Sequence, residues 1–325
     1  MRVSSISFSS DKKLSRCEKQ YSYRYDEKLK PRLKKKGLYM GDFNHQLLEA
    51  HYSGIGWEKK FKQLKKELWD PLFDEEKEYL KEKGFELDFV QELMTHYCEH
   101  WRSEDKKWKV VQVEKDYELP TKLGASLRWK SDLIIKDGNH FGLVETKNKE
   151  ELPDANERIL APQVHSYAYL LRRVGIDIKF IIWNYLRTTR VPSPTLNKDG
   201  SISKRKINTD RRTYERFLKE NKIHPKGDEV IGVENKLESL PETLSLLRVR
   251  NSVNLKVGEM FVREWLERAR RAQAITRPLR TFNRNCSWDC DYYELCQIDM
   301  LGRDRETHIK QNFVQISKRN GEETK

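Results

Sequence analysis

Two apolar segments stand out of a charged chain between residues 131 and 148, Ser131-Asp-Leu-Ile-Ile-Lys-Asp-Gly-Asn-His-Phe-Gly-Leu-Val-Glu-Thr-Lys-Asn148, and they read as strands folded around a turn. Upstream, Asp42-Phe-Asn-His-Gln-Leu-Leu-Glu-Ala-His51 carries apolar residues at helical spacing with Asp42 as a candidate N-cap, and residues 57–104 continue as Lys- and Glu-rich helices with periodic Trp, Phe and Leu. Lys109-Val-Val-Gln-Val113 predicts a strand ahead of the hairpin. Pro162 suits the first turn of a helix over Gln163–Arg173, and the nearly continuous apolar run Lys179–Leu186 predicts a central strand. Between Arg187 and Gly227 the text turns basic and polar, which predicts an inserted hairpin or loop with its turn at Lys198-Asp-Gly-Ser201. Residues 228–275 return to a helical pattern, and the polar tail after Gly302 is expected to fray. The organisation that follows is an N-terminal segment 1–36, a core 37–186, a basic insertion 187–227, C-terminal helices 228–300 and a tail 301–325.

The hairpin carries the chemistry. Side chains alternate faces along a strand, so Glu145 and Lys147 point one way and Val144 and Thr146 the other. With Gly138-Asn139 as a two-residue loop, antiparallel pairing sets Asp132 opposite Glu145. With Asp137-Gly138 as the turn, Glu145 moves one diagonal step but keeps its face. Two carboxylates this close repel unless a cation lies between them, which points to Mg²⁺ or Mn²⁺. An ammonium at Lys147 would then position the attacking water and offset charge on a phosphorane. The competing reading is a surface hairpin with solvated charges.

Composition narrows the classes. The chain has 325 residues, 64 Lys plus Arg against 51 Asp plus Glu, and a net charge of +13, which suits a partner covered in phosphate. With 35% charged residues, no window approaches the roughly 20 apolar residues of a membrane span. The N-terminus lacks the apolar core of a secretory signal, so the expectation is a soluble cytoplasmic protein. No internal repeat and no G-x-x-x-x-G-K-[ST] loop is present, so the chain shows no motor of its own.

Further positions extend the pattern. His45 lies on the helix near Asp42, and Gln163 and Tyr167, four residues apart, share a helical face just after the Glu-x-Lys strand. Cys286-Ser-Trp-Asp-Cys290-Asp-Tyr-Tyr-Glu-Leu-Cys296 gathers three thiols within eleven residues, and Cys17 supplies a candidate fourth. Four thiolates suit zinc or an iron-sulfur cluster, and the lack of paired C-x₂-C knuckles tilts the reading to iron and sulfur. Cys98 has no partner nearby in sequence and reads as a core residue.

Taken in order, Cys17, His45, Asp132, Glu145-Thr-Lys147, Gln163-x₃-Tyr167 and Cys286-x₃-Cys290-x₅-Cys296 resemble the RecB-type branch of the PD-(D/E)XK nuclease superfamily, and are most similar to its members with an iron-sulfur staple, such as the AddB nuclease domain and the CRISPR-associated adaptation nucleases. The resemblance implies an α/β, restriction-endonuclease-like fold: a mixed β-sheet core flanked by helices, with terminal helical segments joined by a four-cysteine cluster. It implies that His45, Asp132 and Glu145 bind the metal with the Thr146 carbonyl, that Lys147 is the catalytic lysine, and that Gln163 and Tyr167 orient the site against DNA. Cys17, Cys286, Cys290 and Cys296 would hold a 4Fe-4S cluster. Two departures are Lys130-Ser131, where many relatives have a glycine, and the x₃ spacing that opens the cysteine trio.

The function expected is a metal-dependent DNA exonuclease acting on ends or single strands, with Mn²⁺ favoured over Mg²⁺ because imidazole is softer than carboxylate. Lys204, Arg205 and Lys206 in the basic insertion are expected to grip a nucleic-acid backbone, and a separate helicase is a conceivable partner. The rival readings are a catalytically silent DNA-binding or assembly subunit and a site- or structure-specific endonuclease.

Overall fold

The computed structural model describes residues 1, 3–32, 36–151, 158, 161–203, 205, 207–224 and 240–316. Lys204 and Lys206, residues 33–35 of the basic stretch before Gly37, residues 225–239 and the tail from 317 therefore lie outside the described residues.

A mixed sheet forms the centre, built from β1 (Ser5–Ile6), β3 (Lys109–Pro120), β4 (Ser126–Asp137), β5 (His140–Lys149), β6 (Ile178–Arg187) and β7 (Leu246–Ser252). β3 runs antiparallel along β4, β5 pairs with the second half of β4, and β1 lies parallel to its first residues. β5 and β6 are parallel, and β7 closes the far edge antiparallel to β6. A second, two-stranded sheet pairs β2 (Leu29–Pro31) with β8 (Phe313–Gln315).

The helices follow as α1 (Phe8–Arg16), α2 (Glu18–Tyr21), α3 (Lys36–Tyr52), α4 (Trp57–Leu64), α5 (Asp74–Glu82), α6 (Leu87–His100), α7 (Arg102–Asp105), α8 (Pro162–Arg173), α9 (Arg211–Glu220), α10 (Leu255–Gln273), α11 (Cys286–Asp289), α12 (Tyr293–Leu301) and α13 (Arg305–Asn312). Strand parity divides the core. Ile134, Leu143, Ile181 and Trp183 face α8 and α10, burying Val164, Ala168, Leu171, Val262 and Trp265. Leu133, Ile135, Val144 and Ile182 face the opposite way. α3, α4 and α6 form their own core around Phe43, Leu47, Phe85, Leu93 and Tyr97, which reaches the sheet through Leu186 and Leu246.

The hairpin folds as its spacing predicts. Asp137 pairs with His140 around Gly138-Asn139, and the ladder runs on to Leu133 opposite Val144. Gly138 has φ of 58°, the left-handed turn that glycine tolerates at no steric cost. The strand at Lys179–Leu186 is central, and the helix from Pro162 starts at that residue.

Four expectations are corrected. The helix around Asp42 begins six residues earlier, at Lys36, because Tyr39 and Met40 belong to its buried stripe and pack towards Phe85, so Asp42 lies inside the helix and not at its N-terminus. The basic insertion makes the turn expected at Lys198–Ser201, held by an antiparallel bridge between Leu196 and Ile202, but it also carries a helix, α9, capped by Asp210, whose carboxylate accepts from Thr213 N at 2.8 Å. The arginines of α9 hide an apolar stripe of Tyr214, Phe217 and Leu218 that packs on Ile202. Within the segment expected to be helical, Leu246–Ser252 is a strand, because pairing with the central β6 supplies its hydrogen bonds. The first part of the tail is ordered as α13 and β8, anchored by Phe313 stacked on Tyr292.

Candidate metal centre and its lysine

The sheet brings three carboxylates abreast. Asp132 on β4 lies opposite Glu145 on β5, one step beyond the last ladder pair, and its Oδ2 accepts from Thr146 N at 2.8 Å. On the other side of Asp132 lies Glu114 of β3, between the pairs Val113–Leu133 and Lys115–Ser131. From α3, His45 Nδ1 approaches Glu114 Oε1 at 3.4 Å and Asp132 Oδ2 at 3.7 Å. One ligand atom from each of His45, Glu114 and Asp132 falls within 4.8 Å of the others.

Glu145 is 1% exposed, and its two oxygens have different fates. Oε1 accepts from Lys147 Nζ at 2.6 Å, whereas Oε2 is buried with no hydrogen-bond partner among the described residues. An orphaned carboxylate oxygen beside the Asp132 carboxyl is costly unless a cation joins it. The close donor group is His45, Glu114 and Asp132, with Glu145 outside it on the far side of Asp132; carboxylates and an imidazole suit a divalent cation that takes oxygen and nitrogen ligands.

Charge compensation is visible at each group. Burial pushes the Asp132 carboxyl up, and Glu145 beside it adds to the effect. Burial would depress His45, but Asp132, Glu114 and Glu145 outweigh it and push the imidazole up to about 9. Glu114 is held low despite its burial by His45 and by Lys130, whose Nζ lies 2.6 Å away. Lys147 stays protonated against burial because Glu145 faces it. Its Nζ also donates to Gln163 Oε1 at 2.8 Å, and Gln163 Nε2 reaches Tyr167 Oη at 3.5 Å, so α8 carries both residues against the strand bearing Glu145 and Lys147.

Behind Thr146, Asn184 Nδ2 donates to its Oγ1 at 3.2 Å. Asn184 Oδ1 in turn accepts from Arg248, whose guanidinium is sandwiched between Trp101 and Trp108 and bonded to Asp105, Tyr52 and Tyr97.

The structure thus brings together His45, Asp132, Glu145, Thr146, Lys147, Gln163 and Tyr167. Sequence reasoning missed Glu114, Asn184 and Arg248. Glu114 sits in the run Glu114-Lys-Asp116, which looks like a solvated strand face, and the one available signal was its place on the strand preceding Asp132. Arg205 is exposed in the insertion, and its neighbours Lys204 and Lys206 lie outside the described residues.

The four cysteines named from sequence line one pocket, together with Tyr23, Tyr292 and Arg280. Cys17 accepts from Thr281 N at 3.5 Å, Cys286 from Asn283 N at 3.5 Å and Cys296 from Arg280 Nε at 3.3 Å. Burial pushes the Cys290 thiol up. Cys98 is half-buried, with its sulfur 3.5 Å from His51 Nδ1.

Among the described residues no helix is long and apolar enough to cross a membrane. A search of curated proteins finds no match. Among solved structures, the chain is similar to a crystallised protein from Eubacterium rectale provisionally named an exonuclease, at 12% identity over 88% of each chain with a TM-score of 0.49. The family model of the PD-(D/E)XK nuclease superfamily matches residues 5–297, spanning every element from β1 through the cysteine trio, and the chain belongs to that superfamily.

Proposed function

We propose that this chain is a divalent-metal-dependent deoxyribonuclease of the RecB-type branch, acting as an exonuclease on DNA ends or single strands. The observation that carries the reading is the orphaned Glu145 Oε2, buried beside Asp132 and within one side chain of an ammonium held at 2.6 Å. His45, Asp132 and Glu145, with the Thr146 carbonyl, would hold Mn²⁺ or Mg²⁺, and Glu114 joins them as a further acidic donor. When bound, such a cation polarises the scissile phosphate and lowers the pKa of water at the site.

The chain's own residues do the rest. Lys147, fixed between Glu145 and Gln163, presents an ammonium that orients the attacking water and balances charge gathering on the phosphorane. Gln163 and Tyr167 restrict that ammonium to one direction. Asn184 and Arg248 brace Thr146 from behind.

A 4Fe-4S cluster held by Cys17, Cys286, Cys290 and Cys296 completes the reading. Four thiols on one pocket fit the group as donors.

The test compares anaerobically purified wild type with Lys147→Ala and Glu114→Gln on end-labelled linear DNA and closed circles in Mn²⁺. Lys147→Ala is expected to lose on the order of 10²-fold or more in rate with DNA binding retained. Glu114→Gln is expected to raise the Mn²⁺ concentration needed for half-maximal rate by roughly 10- to 100-fold. Loss of linear DNA alone establishes the exonuclease; unchanged rates in Lys147→Ala would sink the assignment, and binding without cleavage by any form would favour a silent DNA-binding subunit.

A further inference from the structure

Lys130 passes over the acid directly across from it. β3 and β4 pair Asp116 opposite Lys130, as they pair Glu118 opposite Arg128. Arg128 meets its opposite number, with Nε 3.7 Å from Glu118 Oε2. Lys130 instead runs diagonally past Asp116, and its Nζ donates to Oε2 of Glu114 at 2.6 Å. A diagonal neighbour on a paired strand is farther away than the opposite one, though still within reach of a long side chain.

Charge accounts for the choice. Asp116 is exposed, whereas the side chain of Glu114 is only 10% exposed and stands beside Asp132. The same pair of charges attracts roughly fourfold more strongly at the effective dielectric of a protein surface than in bulk water, so the half-hidden carboxylate wins the ammonium. Lys147 cannot serve in its place, being held between Glu145 and Gln163. Both oxygens of Glu114 are thereby engaged, Oε1 facing His45 Nδ1 at 3.4 Å and Oε2 accepting from Lys130. A divalent cation that takes Glu114 as a ligand must displace one of these neighbours. His45 belongs to the close donor group itself, while the side chain of Lys130 is 42% exposed and can turn out into water. We infer that Lys130 is an internal competitor of the cation: its ammonium holds Glu114 and so raises the concentration of Mn²⁺ or Mg²⁺ at which the centre fills. The device keeps the carboxylates compensated when the cation is scarce and sets a threshold below which the nuclease is silent. It rests on the function proposed above for the identity of the cation's site.

The test titrates Mn²⁺ by calorimetry into the anaerobically purified full chain without DNA, so that affinity is read apart from cleavage, and takes as the centre the component of the isotherm that Asp132→Asn removes. Lys130→Met and Lys130→Gln, substitutions of a partly exposed side chain, are each expected to bind Mn²⁺ about fivefold more tightly than wild type, the equivalent of about 1 kcal/mol, the upper range for an ion pair with an exposed partner. Lys130→Arg keeps the charge and should stay within twofold of wild type. Arg128→Met removes the same charge from the same face of β4 and should also stay within twofold; a gain equal to that of Lys130→Met would make the effect one of net charge and overturn the competitor. In Glu114→Gln, where the contested carboxylate is gone, adding Lys130→Met should gain less than twofold. If both neutral variants bind Mn²⁺ no more tightly than wild type, the inference fails and the nuclease reading stands. Identical isotherms for wild type and Asp132→Asn would mean that the cation is not held at this centre, and the nuclease reading would fall together with the inference.

Discussion

Glu114 holds a left-handed backbone, φ of 45°, in the middle of a strand, a conformation that costs a non-glycine residue about 1–3 kcal/mol. What it gains is a carboxylate turned towards His45 and Lys130, beside Asp132. Asp132, Glu145 and Lys147 were legible because strand parity and a two-residue turn are local rules. Glu114 was not, because nothing in its residue type announces a left-handed backbone within a strand, and its neighbours Lys115 and Asp116 disguise it as surface. Another single residue whose environment the sequence hides is His96 on α6. Burial, then Arg212 and His100, push its imidazole down to about 4 from the ordinary 6.5. Below pH 6.5 the unfolded chain takes a proton that the folded one refuses, so this histidine's stabilising contribution is complete above pH 6.5 and drains away as pH falls towards 4. The difference between the two values corresponds to about 3 kcal/mol. Urea midpoints at pH 7.5 and pH 4.5 should therefore diverge more for wild type than for His96→Gln; parallel shifts would show that the histidine is not held neutral.

At the scale of elements, the position of α8 governs the lysine. α8 carries Gln163 to Lys147, and α10 presses on its back at Gly258, where an added Cβ would lie 2.1 Å from the backbone oxygen of His165. Glycine is needed here for close approach, and its helix cannot slide away, because Trp265 and Val262 are locked into the same core. Gly258→Ala should cost roughly 1–3 kcal/mol by overpacking and should also slow cleavage by displacing Gln163. Gly37→Ala, whose added Cβ would meet no atom of the described residues within 4 Å, serves as the control and should do neither. Chemical denaturation with rate measurements on both variants checks this, and a Gly258→Ala protein that is fully stable and active would show that the two helices adjust independently of the site. Nothing in the spacing of residues 228–275 announced this contact. The strand β7 was likewise unreadable, since seven residues alternating beside a long helical pattern become a strand only when β6 offers an edge to pair with.

Across the whole molecule, the two ends of the chain meet. β2 pairs with β8, Tyr292 Oη donates to the Leu29 carbonyl at 2.8 Å, and Tyr23 donates to Asp299 at 2.6 Å, all beside the pocket lined by Cys17 and the C-terminal trio. A link between Cys17 and Cys286 would close a loop of most of the chain, where constraining the unfolded state has its largest entropic effect. With a cluster in place, Cys290→Ser should loosen this end of the molecule and open new proteolytic sites between α10 and β8, while the β2–β8 pairing keeps part of the attachment. An unchanged digestion pattern would mean that the strands and aromatic packing hold the ends without it.

The hairpin, its facing carboxylates, the Glu-x-Lys parity, the helix at Pro162 and the cysteine spacing all follow from rules that act within about twenty residues, and for that reason they could be read from order alone. Tertiary structure decided which helix and strand came to share those carboxylates: His45 from α3, Glu114 from β3 and the brace of Arg248 from β7. Those placements depend on which surfaces bury one another across the chain, and burial is a property of the assembled core that no local periodicity encodes.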